Sequence, residues 1–132
     1  MNEIRVLIVD DVERVRQDLS TFLTLAGDIE IVGEAANGLE AIQMAKALQP
    51  QVILMDLEMP VLDGYQATRQ IKRQQPACRV IVLSIHGGNA EQQGVLQAGA
   101  DDFIVKGASL ETLLQAIRKA SSLSPISKGE QI

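Results

Sequence analysis

Five short β-branched apolar runs, each followed by a segment of helical spacing, constrain this chain more than any other feature. The runs are residues 4–9, 29–32, 52–55, 80–83 and 103–105. Most are continuous rather than alternating, as in strands buried on both faces of a parallel sheet. Between the runs, Val12, Val15, Leu19, Phe22, Leu23 and Ala26 form one helical stripe, and Leu39, Ile42, Ala45 and Leu48 form a second. Leu110, Leu113, Leu114, Ile117 and Ala120 make the clearest amphipathic helix. Two further helices are weaker. One carries only Tyr65, Thr68 and Ile71 at the right spacing; the other, over 87–98, opens on Gly87-Gly88 and holds Gly94. An interior glycine costs a helix about 1 kcal/mol against alanine, so mobility is expected in that helix. Gly27-Asp28, Asn37-Gly38, Gln49-Pro50, Gln75-Pro76 and Gly99 fall where elements should end. The pattern is βα repeated five times: an α/β fold with a five-stranded parallel sheet, right-handed crossovers and helices on both faces.

With 132 residues there is room for one such domain. Residues 1–121 account for it, and 122–132, rich in serine with Pro125 and Gly129, read as a tail or linker stub. Twelve basic residues against seventeen acidic ones leave a net charge of −5. That disfavours direct nucleic-acid binding by this segment, because affinity for a phosphate backbone is largely electrostatic. The aromatic residues are Phe22, Tyr65 and Phe103, too few for a base-stacking platform. Cys78 is the one cysteine, so no intrachain disulfide forms, and a cytoplasmic setting is expected. No stretch reaches the roughly 18 apolar residues of a membrane span, and none of the N-terminal sequence resembles a signal peptide.

Polar residues punctuate the strand ends. Asp10-Asp11 follows the first run, Asp56 the third, Ser84 the fourth and Lys106 the fifth. In an open parallel sheet these project from one edge, where ligand crevices form. Each has an ordinary reading taken alone: a solvated loop acid, a turn serine, a surface lysine. Together they place three carboxylates, a hydroxyl and an ammonium around one cavity. Like charges about 4 Å apart cost roughly 4 kcal/mol at an effective dielectric near 20. The cluster therefore demands a cation, a protonated member or wider spacing, and removal of Asp11 is expected to relieve it. All-oxygen coordination suits Mg²⁺. A carboxylate beside Mg²⁺ and an ammonium suits phosphoryl transfer. His86 reads as a loop residue near the site, Cys78 as a small buried apolar residue, and Phe103 as core packing.

The strings Val6-Leu7-Ile8-Val9-Asp10-Asp11, Met55-Asp56-Leu57-Glu58-Met59-Pro60-Val61-Leu62-Asp63-Gly64 and Ala98-Gly99-Ala100-Asp101-Asp102-Phe103-Ile104-Val105-Lys106 resemble the receiver domains of response regulators, the CheY-like family. Leu83-Ser84 falls between them in the expected place, and the resemblance runs from residue 4 to about 121. It implies a flavodoxin-like (βα)5 three-layer sandwich with strand order 2-1-3-4-5. It also implies that Asp56 accepts a phosphoryl group from a histidine kinase or phosphotransfer protein. Mg²⁺ would be held by the carboxylates of Asp11 and Asp56, the backbone carbonyl of Glu58 and, mostly through water, Asp10. Ser84 and Lys106 would bind phosphoryl oxygens, and Ser84 with Phe103 would form the conformational switch, read out on the fourth helix and fifth strand. The variable positions Glu58 and His86 would influence the lifetime of the phosphorylated state.

One departure stands out. The family commonly places a cis-bonded proline after the lysine, where Gly107 stands here. The segments 28–35 and 106–109 resemble the NarL-type subfamily, whose receivers commonly precede a helix-turn-helix DNA-binding domain, so an output domain controlling transcription is implied. A homodimer through the first and last helices, or through the fourth and fifth, is compatible with the surface. Two other classes compete with the switch. A haloacid-dehalogenase-type phosphatase also uses an aspartyl nucleophile, Mg²⁺ and lysine, but wants two aspartates two apart after its first strand. A pseudo-receiver would serve only as a docking module, with no need for the full acidic, serine and lysine set.

Overall fold

The computed structural model describes residues 3–122. Its elements alternate without exception: β1 (Ile4–Val9), α1 (Glu13–Thr24), β2 (Ile29–Ala35), α2 (Gly38–Leu48), β3 (Val52–Asp56), α3 (Gly64–Gln74), β4 (Arg79–Ser84), α4 (Asn89–Gln97), β5 (Asp102–Val105) and α5 (Leu110–Ser122). All strand pairs are parallel, in the order β2-β1-β3-β4-β5. The expected three-layer sandwich is present, and the sequence beyond Ser122 lies outside the described residues. Among the described residues no helix is long and apolar enough to cross a membrane.

The sheet separates two apolar layers. On one face Leu7, Ile53, Met55, Val80 and Val82 pack under Ala41 and Ala45 of α2, Ala67 and Ile71 of α3, and Val95 of α4. On the other, Val6, Ile8, Leu54 and Ile81 meet Leu23 of α1 and Leu113, Ile117 and Ala120 of α5. The central strands β3 and β4 are buried throughout, as their unbroken apolar runs require.

Several expectations are corrected in detail. The second strand does not stop at Val32. It continues to Ala35 through an irregularity opposite Val6 and Leu7, where Val6 pairs Ile31 and Leu7 pairs Gly33. Such a bulge hides the period-two pattern from the sequence. Val12 and Phe22 are exposed, at 48% and 52%. Helix α1 approaches the sheet instead through Leu19 and Leu23, and Val12 stands outside it as the N-cap. Leu39 and Leu110 are likewise exposed. The fourth helix begins at Asn89, and its interior Gly94 has a packing reason. A Cβ there would lie 3.0 Å from Cε1 of Tyr65, so the glycine lets α3 approach. The peptide between Lys106 and Gly107 is trans, like every described peptide bond.

Gly64 begins α3 directly behind the end of β3. A Cβ there would sit 2.5 Å from the backbone oxygen of Asp56 and 2.8 Å from Cα of Leu57. Backbone cannot yield as a side chain does, so Gly64→Ala should destabilise the protein by about 2 kcal/mol or more. Gly88, with nothing within 4 Å of a built Cβ, is the control. Urea denaturation of the two alanine variants checks this; an unperturbed Gly64→Ala would contradict the packing argument.

Candidate functional site at the carboxyl edge of the sheet

Asp10 follows β1, Asp56 ends β3, Ser84 ends β4 and Lys106 follows β5. Their adjacency is a consequence of register: Asp56 pairs Leu83, and the Lys106 amide donates to the Ser84 carbonyl at 2.7 Å. Asp10, Asp56 and Ser84 are all buried, at 1–2% exposure. Asp11 is exposed, yet one oxygen each from Asp10, Asp11 and Asp56 lie within 4.8 Å of one another. The sheet edge therefore assembles every acid expected there.

The like-charge problem is resolved mainly by Lys106. Its Nζ lies 3.0 Å from Oδ1 of Asp56 and 3.2 Å from Oδ2 of Asp10, bridging the two buried carboxylates. The other oxygen of Asp10 accepts the Val12 amide at 2.9 Å. Burial raises the Asp56 carboxyl; the Lys106 hydrogen bond opposes this, the Asp10 charge adds to it, and the result is about 6. Burial presses the Lys106 ammonium down, but its hydrogen bond and charge pairing with Asp56, joined by Asp10, outweigh this and hold it above its ordinary range. Within the cluster the raised carboxyl belongs to buried Asp56, while Asp11 stands exposed beside it.

Glu58 lies two residues past Asp56. Its amide points at Oδ1 of Asp56 from 3.4 Å, and its carboxylate stands 3.7 Å from Nε2 of His86, both side chains being exposed. His86 is the loop residue expected near the site, and its amide donates to Oγ of Ser84 at 3.1 Å. Phe103 is half-buried, stands beside Val82 in the strand register and packs against the core under α2, α3 and α4. Cys78 is buried far from this edge, its thiol pushed up to about 11 by burial, in keeping with an apolar role.

One residue at the site went unread in the sequence. Glu91, in the first turn of α4, accepts the Ser84 hydroxyl at 2.8 Å. Nothing in strand-end logic points seven residues ahead into a helix. An acidic residue at the third position of a glycine-capped helix was the available signal. A larger recess of about 450 Å³ opens at the opposite end of the sheet, among Gln49, Gln51, Gln75, Cys78 and Arg79. Among the described residues no carboxylate lines it.

The charge of Asp56 has a measurable cost. Its folded pKa of about 6 exceeds the ordinary 3.8, so the folded state binds its proton more tightly than the unfolded chain. Ionisation therefore costs stability in full above about pH 6, and the cost disappears as pH falls toward 4. Without divalent metal, Asp56→Asn should gain about 1–3 kcal/mol at pH 7 and lose most of that gain near pH 4. Melting curves in a chelator across this range check the sign; a variant melting below the wild type at pH 7 would contradict it.

Comparison with known proteins bears on the family of the chain. The family model for the response regulator receiver domain matches residues 6–118. Response regulator protein VraR of Staphylococcus aureus is 45% identical over 118 residues, covering 89% of this chain and 56% of VraR. The chain thus spans about half the length of such curated relatives. Among solved structures, the response regulator domain of Thermotoga maritima CheB aligns with a TM-score of 0.86 at 39% identity, covering 94% of this chain and 100% of that one. The signal receiver domain of NarL from Mycobacterium tuberculosis aligns with a TM-score of 0.88 at 30% identity, covering 92% and 98%.

Proposed function

Because this chain belongs to the response regulator receiver family, as the receiver domain of a two-component response regulator, we propose that it is a phosphorylation switch whose acceptor is Asp56. Membership of a signalling family favours this reading over a haloacid-dehalogenase-type phosphatase. The observation that carries the proposal is the position of Lys106, held between the buried carboxylates of Asp56 and Asp10.

The donor is a phosphohistidine of a histidine kinase or phosphotransfer protein. An oxygen of Asp56 attacks phosphorus, the phosphorus–nitrogen bond breaks, and the imidazole leaves with its electron pair and takes up a proton. Above about pH 6 Asp56 carries the negative charge this attack requires. Its bonds to Lys106 and to the Glu58 amide both fall on Oδ1, so Oδ2 is the oxygen left without a donor among the described residues. The donor set fits a hard divalent cation: Mg²⁺ would be held by Asp11 and Asp56, by the Glu58 carbonyl, and by Asp10 mostly through water, and would offset charge on the phosphoryl oxygens. Lys106 neutralises a second share of that charge. Ser84 donates to another phosphoryl oxygen.

Conformational change follows from Ser84 and Phe103, on neighbouring strands of one sheet face. A Ser84 drawn toward the phosphoryl group leaves space into which Phe103 turns. The readout falls on α4, β5 and the start of α5, where Leu96, Val105 and Leu110 are exposed apolar residues. A DNA-binding output domain that controls transcription, with homodimerisation of the receiver, suits this face and the NarL-type resemblance. The acidic receiver itself takes no direct part in binding DNA, and its setting is the cytoplasm.

Acetyl phosphate with Mg²⁺, followed by intact-mass measurement, tests the assignment. One phosphoryl adduct is expected, labile to hydroxylamine and absent from Asp56→Asn. Absence of an adduct when Mg²⁺ demonstrably binds and a cognate kinase is supplied would make the chain a pseudo-receiver that acts by docking alone.

A further inference from the structure

The hydroxyl of Ser84 is already committed. Oγ lies 2.8 Å from Oε1 of Glu91 and accepts the His86 amide at 3.1 Å. A carboxylate offers only lone pairs, so the single hydroxyl proton of Ser84 is donated to Glu91. A phosphoryl oxygen on Asp56 is an acceptor as well. The two acceptors compete for one proton, and Ser84 cannot serve both. Bonds from a hydroxyl to an anionic oxygen are among the stronger ones, and this one is shielded by the burial of Ser84.

The location of Glu91 turns that competition into a mechanical coupling. It is the third residue of α4, whose N-cap, Gly88, has no side chain to cap the helix. Through Glu91 the first turn of α4 is tied to the last residue of β4. A carboxylate at this position can instead reach back to the N-cap amide of its own helix, where the helix dipole favours it. Losing Ser84 therefore leaves Glu91 with another partner, which makes the exchange inexpensive. Of the intervening Gly87-Gly88 pair, Gly88 stands in open space, while Gly87 packs closely against Val105 of β5, so a rearrangement there also reaches the fifth strand.

We infer that Glu91 is a latch: it holds Ser84 away from Asp56 in the unphosphorylated protein, and phosphorylation opens it by taking the same proton. The latch rests on the reading of Asp56 as phosphoacceptor. Glu91 is a positioning residue that acts through Ser84 and touches no reacting atom. Its consequence is that α4 is released at its N-terminal end as Ser84 turns.

Beryllofluoride, which forms a phosphoryl-like adduct on an acceptor aspartate, is the probe. Its affinity in Mg²⁺, and the initial rate of phosphorylation by acetyl phosphate, are compared for the full chain, Glu91→Ala and Glu91→Gln. Glu91→Ala should bind beryllofluoride about tenfold more tightly, the worth of one such hydrogen bond, and react faster. Glu91→Gln, whose amide oxygen still accepts, should fall between. In the unliganded alanine variant the amide resonances of His86 and Gly87 should shift toward their positions in the beryllofluoride-bound wild type. In a Ser84→Ala background Glu91→Ala should add nothing, a coupling that a merely structural role would not produce. Unchanged or weaker beryllofluoride binding by Glu91→Ala, or an equal effect without Ser84, would overturn the latch and leave the acceptor assignment standing. A wild type that takes neither probe would overturn both.

Discussion

The arrangement at the sheet edge depends on one ammonium group between two buried carboxylates. Without Lys106, Asp10 and Asp56 would face each other out of water, at a cost comparable to much of a domain's stability. With it, the pair is tolerated but not fully relieved: burial still holds the Asp56 carboxyl at about 6. The site is poised rather than satisfied, and any cation or phosphoryl group that rearranges these charges changes the energy of the whole edge. This is how a small covalent event can carry enough free energy to move a helix.

The scaffold makes that placement possible. Four parallel strands converge on the edge, and each delivers its polar residue immediately after an apolar run that is anchored in two layers of core. Hydrogen bonds across the strand ends, from Leu57 to Leu83 and from Lys106 to Ser84, carry the register to the last residue. The charged groups sit on rigid backbone, while the segment from Ile85 to Gly88 that links Ser84 to α4 is exposed. A buried edge at the chemistry and an exposed link to the readout divide the structure into the two parts a switch requires.

Much of this was legible in the residues. The continuous apolar runs marked the strands because a strand covered on both faces has no polar side to show. The acids, serine and lysine stood out because they break those runs at the same point in each repeat. Legibility failed where neighbours decided the outcome. Phe22 and Val12 fit a helical stripe, but Phe22 lies off the arc that α1 turns to the sheet and Val12 precedes the helix as its N-cap. Strand β2 outran its apolar pattern because a bulge shifts its register. Gly94 reads in the sequence as a helix weakness, and only the fold adds that a Cβ there would crowd Tyr65.

The sequence by itself determined the alternation of strands and helices, the acidic balance and the identities of the groups that meet at the edge, because periodicity and punctuation are local properties of a chain. Only the tertiary structure decided which carboxylate bears the strain, that Lys106 bridges Asp10 and Asp56, and that Glu91 holds Ser84. Those outcomes depend on distances across the sheet and on which groups keep their water. Burial of Asp56 and exposure of Asp11 are set by packing from elements far apart in the chain, and charge answers to its surroundings rather than to its position in sequence.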